Sequence, residues 1–124
     1  MGMNKLQSCL VVLCLAAGCG GGGVYPDSDV VEPSGFELKI AKGMQMSENS
    51  LQAGTLEYEG AGELNAVFRA YIDAMKGHGW AHHASEVAGD KATGTLRKGV
   101  RSCSLAFTNT NGRIRAIITV TVPK

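Results

Sequence analysis

The chain has 124 residues, with 12 Lys or Arg, 11 Asp or Glu, 3 His and 4 Cys, and a formal net charge of +1. This length holds one domain with a modest core, not two. The near-neutral balance argues against the strongly basic surface of a nucleic-acid binder, so no nucleic-acid partner is expected.

Residues 1–18 carry the three regions of a secretory signal. Lys5 supplies the positive charge, residues 9–17 form an apolar run, and Ala16, Ala17 and Gly18 are small. The run is far shorter than the roughly 20 residues that span a bilayer. The stretch Leu15-Ala16-Ala17-Gly18-Cys19 resembles the lipobox of bacterial lipoprotein precursors, in which a peptidase cuts before a cysteine that already carries a lipid. It departs from that pattern at one place: Ala16 stands three before Cys19, and Leu15 one place earlier. The resemblance implies that 1–18 is a signal peptide and that Cys19 carries a diacylglycerol and fatty acyl anchor. It implies no other cofactor, and places the protein at the cell membrane with the membrane itself as a partner. Gly20 stands where many inner-membrane lipoproteins have Asp, which points to the outer membrane, facing the periplasm, in a cell with two membranes.

On this reading Cys9 and Cys14 leave with the signal, Cys19 is acylated, and Cys103 has no partner, so no disulfide framework is expected. Loss of Lys5 makes the remaining chain neutral. Residues 19–63 then carry −6 and residues 64–124 carry +6. Residues 19–34, with Gly20 to Gly23, Pro26 and Pro33, read as a tether that lets the domain stand off the membrane.

From residue 35 the pattern is that of a single α+β domain. Residues 36–40 and 55–59 alternate apolar and charged side chains, the period of a half-buried strand, with a loop expected over 42–53. Leu64, Val67, Phe68, Tyr71, Ile72 and Met75 recur at helical spacing over residues 63–76, and Gly77 or Gly79 stops the helix. Trp80 follows and is expected to fold onto the core. Strands are then expected at 81–87, 93–98, 101–108 and 113–122, with Asn111-Gly112 as a hairpin turn. The expected fold is a two-layer domain, one amphipathic helix packed on a mostly antiparallel sheet of about five strands. Pairing of the last strand with 55–59 would set Arg113 and Arg115 against Glu57 and Glu59 and absorb part of the charge asymmetry.

The layout resembles small bacterial lipoproteins whose domain runs strand, helix, Gly-Trp, antiparallel strands. The residues that carry this likeness are 56–60 (L-E-Y-E-G), 75–80 (M-K-G-H-G-W), 96–99 (L-R-K-G) with Cys103, and the closing V-P-K. The likeness implies a fold and brings no activity with it.

No catalytic constellation stands out. His78, His82 and His83 are the only clustered metal-ligand types, and Gly79 and Trp80 break the helix that would align the first two. Cys103 keeps phase with Leu105 and Phe107, which makes it a core thiol; a thiol or metal enzyme would need it exposed beside a histidine. Residues 60–62 lack the further residues of a phosphate loop. The expectation is therefore a non-enzymatic envelope lipoprotein that binds or scaffolds a protein. The alternative is a module for a small or anionic envelope ligand, held by Arg97, Lys98, Arg101, His82 or His83.

Overall fold

The computed structural model describes residues 23–25, 28–48 and 50–123. The expected signal peptide, the lipobox-like stretch and Cys19 lie outside the described residues. Six strands and one helix follow in order: β1 (Glu37–Ser47), β2 (Ser50–Ala61), α1 (Leu64–Gly77), β3 (Ala81–Ala88), β4 (Lys91–Lys98), β5 (Arg101–Thr110) and β6 (Arg113–Thr121). They build one sheet of order β1-β2-β6-β5-β4-β3, antiparallel throughout. After the β1–β2 hairpin, α1 carries the chain to the opposite edge. Three hairpins then return it, and β6 enters beside β2.

This corrects the expected two-layer domain with about five strands. Among the described residues the fold is a six-stranded antiparallel sheet with one short helix, and that helix does not make a layer. A 14-residue helix is about 21 Å long and about 10 Å wide, whereas six strands span about 24 Å between the outer two. Accordingly α1 lies chiefly against β3, β4 and β5.

Another part of the same face is met by residues 28–36, within and just after the span read as a tether. Val30 and Val31 are buried in the core there. The Val31 N–H donates to the Met75 thioether sulfur (3.3 Å), and the Tyr71 hydroxyl donates to the Val31 carbonyl (2.7 Å). The Trp80 indole N–H donates to the Asp29 carbonyl (3.0 Å) and the Tyr58 hydroxyl to the Glu32 carboxylate (2.9 Å). This strap is therefore bonded to the helix, to the residue that leaves it and to the sheet.

The loop expected at 42–53 is mostly strand. β1 and β2 pair almost to their turn, and register shifts at Leu38/Ile40, Lys42/Gln45 and Gln45/Met46 break the alternation a strand would show in sequence. One consequence is that Leu38 lies opposite Tyr58 while Ile40 lies opposite Glu57, so the two point to opposite faces. Asn111 and Gly112 both have positive φ, the geometry of the expected hairpin turn.

At its N-terminus α1 is capped by Glu63, whose carboxylate accepts from the N–H groups of Asn65 and Ala66. At the other end the N–H of Trp80 reaches the Met75 carbonyl and that of Gly79 the Lys76 carbonyl, with Gly79 at φ 94°. This double closure needs a left-handed residue, which glycine adopts without strain. It turns Trp80 inward, where the ring is buried. Leu64, Phe68, Tyr71, Ile72 and Met75 are buried on the helix. Phe107 on β5 receives Phe68 edge-on at 5.3 Å and Tyr71 at 5.5 Å, the centre of the core.

On the outer face Arg115 stands opposite Glu59, and Arg113 opposite Ala61. The Arg115 guanidinium lies 3.1 Å from Glu57 and 3.9 Å from Glu59, and Arg113 lies 3.7 Å from Glu59. The cross-strand charge pairing between the acidic and basic halves is thus present.

Candidate functional site

The strongest polar cluster forms where the strap meets the β4–β5 hairpin. Arg101 donates to both oxygens of Asp29, at 2.9 and 2.7 Å, and to the Leu51 carbonyl at 2.9 Å. Lys98 donates to Asp29 at 2.8 Å and to the His78 carbonyl at 2.7 Å. The guanidinium lies over the Trp80 ring, 4.8 Å from its centroid. Burial by itself would push the Asp29 carboxyl up; the Arg101 and Lys98 hydrogen bonds and charges outweigh it and hold the group well below the usual carboxylate range. Arg101, 8 % exposed, is a charge taken out of water and paired through both terminal nitrogens with the Asp29 carboxylate. Chemically this is a clamp that ties strap, helix end and hairpin together.

The clamp takes up Lys98 and Arg101, two of the cations considered for an anionic ligand. The third, Arg97, is exposed between Ala81 and Ser102 and makes no ion pair among the described residues. His78 caps the C-terminus of α1, and His83 sits at the register shift between His82 and Ala84. Neither meets His82 in a ligand set: among the described residues no three His, Cys, Asp or Glu side chains could hold a metal ion.

Cys103 is fully buried and opposes Leu96 and Val120. Burial pushes its thiol up to about 12, against a lowering by the Arg101 charge, so the nucleophilic thiolate is suppressed at neutral pH. The hydroxyls of Tyr58 and Tyr71 are likewise pushed above the ordinary phenol range, foremost by burial.

The open feature of the surface lies elsewhere, along the edge strand β3. All eight of its residues are exposed. On the helix side it borders a groove of about 510 Å³, with Phe68, Ile72 and Val87 as apolar lining and Arg69, Asp73, Lys76, His82 and Glu86 as polar lining. Among the described residues these five polar side chains make no ion pair with one another or with other groups, in contrast to the clamp. Two residues named from sequence, Lys98 and Arg101, come together, and one, His82, lies in the groove. The groove has no sequence signature of its own, because strand order alone makes β3 an edge.

A smaller hollow of about 270 Å³ runs between the strap and α1, lined by Val31, Pro33, Ala66, Val67, Ala70 and Ala74 among others. Comparison of the chain with protein-family models, curated proteins and solved structures finds no match.

Proposed function

We propose that the protein is a lipoprotein of the bacterial envelope, held to the membrane through acylated Cys19, and that its domain is a non-enzymatic module that binds a protein. The anchoring half rests on the 15–19 motif and the signal-like residues before it. The binding half rests on one observation, the edge strand β3, exposed at each of its residues, beside a groove of unpaired charges. Edge strands offer a row of unused backbone donors and acceptors, which recruits other chains unless it is blocked. The anchored face would be the periplasmic side of the outer membrane where two membranes exist.

Two measurements test this reading. Mass spectrometry of the membrane fraction is expected to find an acylated Cys19 N-terminus, and Cys19→Ser is expected to release the protein from that fraction; a wild-type chain without acyl groups overturns the anchor. Photo-crosslinkers placed across the domain in intact cells are expected to yield a discrete protein adduct, and their uniform silence overturns the binding role.

A further inference from the structure

We propose that β3 accepts an extended peptide segment of another protein as a seventh strand, with alternate side chains of that segment entering the groove between β3 and α1. This rests on the protein-binding reading above and adds to it the site and the chemistry of the occupant.

The two edges of the sheet differ in how they are protected. β1 has three register shifts and carries Lys39 and Lys42, devices that discourage strand addition. β3 has one shift, before Ala84, and then runs in regular register with β4 through Ala88, without Lys or Pro. Among the described residues, five consecutive ones therefore offer an open edge in regular register. Backbone pairing there supplies affinity, and pockets for alternate side chains supply specificity.

The groove states what those side chains are. Its volume of about 510 Å³ falls in the usual range for ligand sites. Val87, 45 % exposed, is an apolar contact awaiting cover, with Phe68 and Ile72 beside it. The helix bank above carries Arg69 and Lys76 with Asp73 between them, and Glu86 lines the strand side, so among the described residues the groove's free cations lie on the helix bank alone. The complementary occupant has apolar residues at alternate positions and a carboxylate that reaches Arg69 or Lys76. A second copy of this chain fits poorly. Self-pairing centred on Glu86 sets two carboxylates opposite each other, which is unfavourable. Centring it on Ser85 runs Val87 and Ala88 into the shift between His82 and Ala84.

The test uses the full chain in detergent micelles, panned against a phage library of random eight-residue peptides. The expected winners alternate apolar residues and contain Asp or Glu. A synthetic winner is expected to slow hydrogen exchange at the alternate amides within residues 84–88 that face away from β4, and to leave those of β1 unchanged. Val87→Glu, at an exposed position, is expected to weaken it by about tenfold or more through an unpaired carboxylate in the groove. Panning with Arg69→Glu/Lys76→Glu is expected to select basic residues in place of acidic ones. Winners without alternation, protection away from β3, the same winners with the charge-reversed variant, or β3 amides protected in the free protein as its concentration rises each overturn the proposal. Crosslinks from other surfaces with β3 silent would overturn it while leaving the protein-binding reading intact.

Discussion

Asp29 is the residue on which the most bonds converge, and its removal shows what the clamp contributes. Asp29→Ala leaves the Arg101 guanidinium buried with the Leu51 carbonyl as its one hydrogen-bond acceptor and the Trp80 ring beneath it, and breaking a buried pair from one side costs about 3–5 kcal/mol. Denaturant unfolding of this variant is expected to show a loss of that size. The pH dependence follows from the same depressed carboxyl. Above the ordinary Asp range near ~4 the stabilisation is fully present; as pH falls through that range toward the lower folded value, the unfolded state takes up a proton that the folded state refuses, and stability is lost. Asp29→Asn is expected to flatten this acid slope; an unchanged slope would mean the acid sensitivity resides in other carboxylates. Cys103 has the opposite sign. With the thiol pushed up to about 12, its contribution is present below the ordinary value of 9.0 and is lost as pH rises between the two. Iodoacetamide at pH ~8 is expected to leave the native thiol untouched and to alkylate it once denaturant unfolds the chain, since attack needs thiolate.

At the scale of elements, the packing of the strap is tested at Gly60 on β2. A Cβ there would lie 2.4 Å from the Phe36 ring, which ends the strap just before β1 and packs against the core. Gly60→Ala is expected to push the ring aside and cost about 1–3 kcal/mol, as overpacking does. Adding Phe36→Leu is expected to cost less in that background than alone, a non-additivity readable from thermal melts. The strap also marks where sequence reasoning stopped. The α1 helix was legible because Leu64, Phe68, Tyr71, Ile72 and Met75 fall on one helical face, and β6 because its alternation is unbroken. Val30 and Val31 were not, since their burial depends on Tyr71, Met75 and Trp80, distant in the chain and without local period. The hairpin between β1 and β2 was hidden by register shifts that scramble the apolar positions. The β3 edge carries no local mark, since residues 81–87 scan as any strand; it becomes outermost because β6 pairs with β2, the pairing that Arg113 and Arg115 suggested.

At the scale of the whole molecule, the acidic first half and basic second half are joined at the β2–β6 seam. Arg115 sits between Glu57 and Glu59 there, and the pairs are partly exposed, so each contributes only some tenths of a kcal/mol. Arg115→Glu converts attraction into a run of carboxylates across the seam. It is expected to lower stability by about 1 kcal/mol, an effect that shrinks in high salt. An equal loss at low and high salt would assign the effect to lost packing of the arginine stem.

The strap also alters how the protein would meet its surroundings. The Gly23 carbonyl accepts the Glu32 N–H at 2.8 Å, and Val24 bridges Val31, so the chain is already fastened to the domain four residues after Cys19. Four residues extend at most about 14 Å. On the proposed acylation the domain is a short-leashed rider on the lipid headgroups, not a head on a long stalk. Encounters would then be confined to a thin layer above the bilayer, where a partner sharing the same membrane gains local concentration over one diffusing freely.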